Sequence, residues 1–175
     1  MRPPTYRMVV MILRGANDRH PDVVTGAGGD SRILAVDYGR KRIGLAISDD
    51  VGLTAHPLSI LVRTNRRNDS RRLRELCRDH AVQRIIVGHP VHMTGAPGEM
   101  AEEAARFAAR LEKELGLPIE LVDERLTSWA AETTLTEANA ARRKGAPVDD
   151  LAAAILLREY LEKIQSHGRS AAQKA

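Results

Sequence analysis

Residues 33–49 read ILAVDYGRKRIGLAISD. Two apolar runs, 33–37 and 42–48, flank a short polar stretch. The pattern predicts two antiparallel strands joined by a tight turn, with Gly39 permitting the turn. Asp37 closes the first strand, and Arg40, Lys41 and Arg42 set three cations beside it. A carboxylate at the end of a buried apolar strand is costly unless a cation, a metal ion or a row of backbone amides binds it.

Working outward, PLSILV at 57–62 is a short apolar run and predicts a third strand. Three strands with tight connections must be antiparallel to one another. Over 65–80, Leu73, Leu76 and Cys77 share one helical face, with Arg71, Arg72, Arg74 and Arg78 around the others. RIIVG at 84–88 is a continuous apolar strand of the buried type. A Gly- and Pro-rich loop, 89–98, leads to a helix carrying Met100, Ala104, Phe107, Leu111 and Leu115. Gly116 is placed to cap that helix and Pro118 to stop it.

A short strand at 119–122 ends at Asp123-Glu124-Arg125. Thr127 or Ser128 can cap a helix running to about residue 135, and the polar, basic stretch 136–147 reads as a mobile segment. Val148-Asp149-Asp150 opens a last helix with Leu151, Ala154, Ile155 and Leu161 on its apolar face. The order predicts an α/β domain over 31–164, with a mixed five-stranded sheet (three antiparallel strands, then αβαβα) and helices on both faces. Residues 1–30 read as a poorly ordered extension and 165–175 as a flexible tail.

Composition narrows the classes. The longest N-terminal apolar run, MVVMIL at 8–13, is too short for a membrane span or a signal-peptide core. One cysteine, Cys77, rules out an internal disulfide and suits the reducing cytoplasm. The net charge of +4 is carried largely by the tails, so charge alone says little about a nucleic-acid partner.

If the last strand lies beside the first, Asp37 and Glu124 share one sheet end, and Asp149 could close the group from the last helix. Three bare carboxylates repel one another and raise each other's pKa. Hard divalent cations relieve that conflict. Mg²⁺ takes oxygen ligands while keeping several waters, and two such ions can activate a water and stabilise a leaving phosphate oxygen. Each residue also has a plainer role open to it. Asp37 can be a turn cap, Glu124 can pair with Arg125 or Arg42, and Asp149 can be a helix N-cap. Asp150 is an equal candidate for the third ligand.

Four stretches taken together resemble the YqgF/RuvX family of the RNase H-like superfamily. They are DYGRKRIGLAISD at 37–49, VGHPVHMTGAPG at 87–98, VDERLTS at 122–128 and VDDLAAAILLREYL at 148–161. The resemblance implies an RNase H-like fold and a cytoplasmic nuclease tied to 5′-end maturation of pre-16S rRNA, or to Holliday-junction resolution. It implies Asp37, Glu124 and Asp149 as catalytic residues and as ligands of Mg²⁺ or Mn²⁺. The family usually has Leu where His89 stands and Asn where His92 stands, and both changes fall in the loop expected near substrate.

Arg40, Lys41, Arg42, Arg125, Arg142, Arg143 and Lys144 are candidates for phosphate contact, which neutralises charge without reading sequence. Seven arginines over 63–78 form a further basic cluster, or simply a solvated helix face. Aromatic residues make up only 3% of the chain, which argues against a stacking platform for single strands. The expected partner is structured RNA, such as pre-16S rRNA or a ribosomal particle, with branched DNA as the alternative. No membrane partner is expected, and the chain is expected as a monomer or weak dimer. Two other classes stay open. An actin-like or sugar-kinase-like ATPase opens with a similar hairpin but needs two such domains. A ribosome-assembly factor would bind RNA without cutting it.

Overall fold

The structure, a computed structural model, describes residues 32–90, 98–124 and 149–172, with side chains to 166 in the last stretch. Eight elements follow in order. They are β1 (Arg32–Tyr38), β2 (Arg42–Ser48), β3 (Ala55–Val62), α1 (Arg66–Asp79), β4 (Val82–His89), α2 (Glu99–Leu115), β5 (Ile119–Asp123) and α3 (Asp149–Ala172). The strands form one sheet in the order β3-β2-β1-β4-β5. β1–β2 and β2–β3 are antiparallel, while β1–β4 and β4–β5 are parallel.

Local chemistry sets the element ends. Asn65 caps α1, its side-chain oxygen accepting from the Asn68 amide at 2.9 Å. Gly116 ends α2 in the left-handed region at φ 71°, its amide donating to the Glu112 carbonyl at 2.8 Å. Pro57 is tolerated inside β3 because that strand is an edge, where a missing N–H breaks no outer ladder.

Alternation at period two splits the sheet into two buried faces. Leu34, Val36, Ile43, Leu45, Ile85 and Val87 pack under α1 and α2, against Leu73, Phe107 and Leu111. Ile33, Ala35, Ala46, Ile86 and Val122 pack under α3, against Ala153, Leu156, Leu157 and Leu161. Ala35, Gly44 and Ala46 keep the middle of the second face low, so α3 lies close to the sheet there. At the far end of that face the Tyr160 hydroxyl donates to Glu120 at 2.7 Å and accepts from Arg84 at 3.1 Å, tying α3 to β4 and β5. Leu157 is fully buried there. Leu157→Ala is expected to cost on the order of 2–5 kcal/mol, read from a urea unfolding curve as a lower midpoint with unchanged slope.

Two expectations need correcting. β5 does not lie beside β1, because β4 stands between them. The continuous apolar run of β4 needs cover on both faces and neighbours on both edges, whereas β5 exposes Glu120 and takes the margin. The last helix runs on to Ala172, into the stretch expected to be a flexible tail. Ser166, His167 and Gly168 are poor helix formers, which is why the sequence reads there as a tail, yet the helix that begins at Asp149 continues through them. The N-terminal extension, the helix expected from Thr127 or Ser128 and the mobile segment 136–147 lie outside the described residues. No helix among the described residues is long and apolar enough to cross a membrane.

Candidate active site at the carboxyl end of the central strand

Asp37 has the parity of Ile33 and Ala35, so it faces α3. It pairs across the sheet with Gly44 of β2. On its other side Val36 pairs with Val87 of β4, which puts Gly88 level with Asp37. The central carboxylate therefore stands between two strand glycines. Each leaves a gap that a distant part of the chain fills.

At Gly44 a methyl group would collide with the backbone carbonyl of Asp149 and come within 2.9 Å of the Asp150 amide nitrogen. The first turn of α3 thus rests directly on β2, next to Asp37. At Gly88 a methyl group would collide with the Glu124 carboxylate, with its Cδ 3.2 Å away and Leu156 Cδ2 3.4 Å away. Glu124, just past the end of β5, reaches back over β4 through that opening. The intervening strand does not separate the two carboxylates, because its residue at that level has no side chain.

The electrostatics agree with this placement. Burial pushes the Asp37 carboxyl up to about 6, and the Asp149 charge adds to it. Burial likewise pushes Glu124 up to about 7, followed by the charges of Asp37 and Asp123. Asp149 accepts from Arg42 Nε at 2.6 Å. The structure thus brings Asp37, Glu124 and Asp149 together, and Asp150 occupies the same first turn. These carboxylates are the residues that could hold a divalent metal. Among the described residues, no three His, Cys, Asp or Glu side chains form a finished cage for one. The oxygen-only donor set, with its mutual repulsion, fits a hard cation such as Mg²⁺.

The candidate phosphate contacts divide. Arg40 is paired with Glu99 at 2.9 Å and Glu103 at 2.8 Å, which ties the β1–β2 turn to α2. Arg42 is held by Asp149, and Lys41 is exposed between them. Arg125, Arg142, Arg143, Lys144 and His92 lie outside the described residues. His89 is buried on the α2 side of the sheet, opposite in parity to Gly88 and away from the carboxylates. Burial holds its imidazole below the ordinary range, opposed by the Asp123 charge and a hydrogen bond with the Ala101 backbone.

A family model described as the Holliday junction resolvase RuvX matches residues 31–163. The chain belongs to the RuvX family. A relative from Koribacter versatilis (strain Ellin345), named "Putative pre-16S rRNA nuclease", is 41% identical over 146 residues, 83% of this chain and 92% of that protein. A protein of the same name from Syntrophus aciditrophicus (strain SB) is 42% identical over 134 residues, 76% of this RuvX chain and 89% of its own length. The RuvX architecture here is RNase H-like. RuvC of T. thermophilus, solved in complex with a Holliday junction substrate, matches it with a TM-score of 0.52 at 16% identity, covering 76% of this chain and 96% of that one. At that identity the likeness is one of fold.

The glycines that admit Glu124 and Asp149 were missed by sequence reasoning. A signal existed, since a lone glycine inside an apolar strand often marks a close approach by another part of the chain. In the RuvX chain both Gly44 and Gly88 fit that pattern.

Proposed function

We propose that this protein is a metal-dependent nuclease that hydrolyses phosphodiester bonds in structured RNA, acting in the cytoplasm on the 5′ end of pre-16S rRNA during ribosome biogenesis. The observation that carries the proposal is the carboxylate group itself: Asp37 and Glu124 pushed up in pKa on one face, with Asp149 set over the neighbouring glycine. Such a cluster is unfavourable unless a cation is shared across it. The names borne by the RuvX relatives supply the substrate class.

In this reading Asp37, Glu124 and Asp149 would hold Mg²⁺ or Mn²⁺, which would supply an activated water and neutralise charge on the leaving oxygen. Asp37 and Glu124 must be deprotonated to act as ligands, so binding would weaken as pH falls through about 7 and then about 6. Arg42 loosens its hold on Asp149 and, with Arg40 and exposed Lys41, faces the backbone phosphates on either side of the scissile bond. Arg125, Arg142, Arg143 and Lys144 extend that contact along the RNA. Recognition rests on backbone and shape, because the chain is poor in stacking aromatics.

The test uses a pre-16S rRNA fragment and a four-way DNA junction, with Mg²⁺, Mn²⁺ or EDTA. Cleavage of the RNA with metal is expected, lost in EDTA and in Glu124→Gln. Cleavage of the junction alone would make branched DNA the substrate, which the family's description favours as the second reading. Cleavage of neither, with RNA binding intact in wild type and variant, would make the protein an assembly factor.

A further inference from the structure

We infer that Arg63 is a positioning residue, whose guanidinium, anchored by buried Asp69, fixes the turn that follows Asp37 and so aims that carboxylate. This rests on the nuclease reading of Asp37, but the geometry stands independently. Arg63 Nη1 donates to the Gly39 carbonyl at 3.0 Å, and its backbone amide donates to the Lys41 carbonyl at 3.0 Å. The guanidinium carbon lies 4.8 Å from the centre of the Tyr38 ring, which leans on Phe107 with ring centres 4.9 Å apart. Every one of these contacts falls on residues 38–41, directly after Asp37 or packed on them.

Asp69 holds the other side. It is 2% exposed. Its carboxylate accepts from Arg63 Nε at 3.3 Å and from the Thr64 amide at 3.1 Å. Of the seven arginines over 63–78, the other six are exposed. Arg63 therefore leaves the basic cluster in which sequence placed it and joins the frame of the site. The task needs arginine. A flat fork can donate along two edges while its face lies on an aromatic ring, and an ammonium cannot. Because catalysis is sensitive to displacements of about 1 Å, a loosened turn slows the chemistry more than it weakens binding.

The test compares wild type with Arg63→Lys. The first readout is amide hydrogen exchange across 38–43, and the second is kcat and KM on whichever substrate wild type cleaves. Expected are exchange faster by about tenfold or more, kcat lower by about 10–100-fold, and KM within about twofold. Should Arg63→Lys fail to fold, the double variant Arg63→Gln with Asp69→Asn removes both charges together and takes its place. A folded variant with wild-type exchange and wild-type kcat overturns the inference. So does a raised KM with a salt slope shallower by about one and kcat unchanged, since that is the signature of a phosphate contact. If wild type cleaves nothing, the nuclease reading falls, while the exchange comparison still decides whether Arg63 holds the turn.

Discussion

Asp37→Asn is expected to abolish metal-dependent cleavage and at the same time to make the metal-free protein more stable at pH 8. The loss of activity should reach about a thousandfold, equivalent to about 4 kcal/mol of transition-state stabilisation, because the proposed reading makes Asp37 the central ligand. The gain in stability follows from the raised pKa. In the native state the Asp37 carboxyl titrates at about 6, against 3.8 as its ordinary value. The native state therefore holds this proton more tightly than the unfolded chain does, and stability falls as pH rises through that window. The penalty is absent below the ordinary value and complete above the native one. At about 1.4 kcal/mol per pH unit it amounts to at most about 3 kcal/mol.

Glu124 works in the same sense at a higher window, from 4.5 to about 7. Removing the Asp37 charge relieves part of its displacement as well. His89, lowered by burial, works in the opposite sense and loses stability as pH falls below its ordinary range. It is common to both proteins, so the difference between wild type and Asp37→Asn isolates the carboxylates. Thermal melts of both proteins in EDTA at pH 4.5 and pH 8 are the measurement. The variant should melt higher at pH 8, and the gap should narrow to about a third at pH 4.5. A variant that melts lower at both would return Asp37 to the role of a turn cap.

The second large effect separates two glycines that look alike in sequence. At Gly44 an added methyl meets the Asp149 backbone, which cannot swing aside. Gly44→Ala must shift the start of α3, and forced overpacking of this kind costs about 1–3 kcal/mol or more, along with activity. At Gly88 the methyl meets the end of the Glu124 side chain, which can rotate away. Gly88→Ala should keep a melting temperature near that of wild type and still lose about a hundredfold in kcat, because a displaced carboxylate is a misplaced ligand. Unfolding curves and steady-state cleavage, run on both variants, read the contrast directly. Equal losses of stability in the two would show that Glu124 is as immobile as the helix backbone.

That contrast also marks what the chain discloses in one dimension. The β1–β2 hairpin, the apolar face of α2 with its Gly116 stop, and the α/β class follow from local periodicity, which neighbours in sequence settle among themselves. Asp37, Glu124 and Asp149 stand out because a charged residue at the end of an apolar run needs a reason. The order of strands is less accessible. Even so, the apolar run Ile85–Val87 of β4 carried the information that it is interior, and the exposed Glu120 within β5 that it is marginal. Arg63 and Asp69 were hidden for a different reason. Among so many arginines, only burial picks out the one that sits against the turn after Asp37, and burial belongs to the tertiary structure.

The order of the strands also sets an order of events. Synthesis runs from the N-terminus, so the antiparallel half of the sheet, with local pairings, is available to form first. β4 and β5 follow, bringing Glu124 to Asp37. Until α3 has been made, the face of Ile33, Ala35, Ala46 and Ile86 lacks the helix that covers it among the described residues, and Asp149 is not yet beside the other two carboxylates. Sealing that face and completing the acidic group are one event, and it waits for the last of the described elements. A chain that stops before α3 carries the first two carboxylates but not the third, and under the proposed reading it holds an incomplete site.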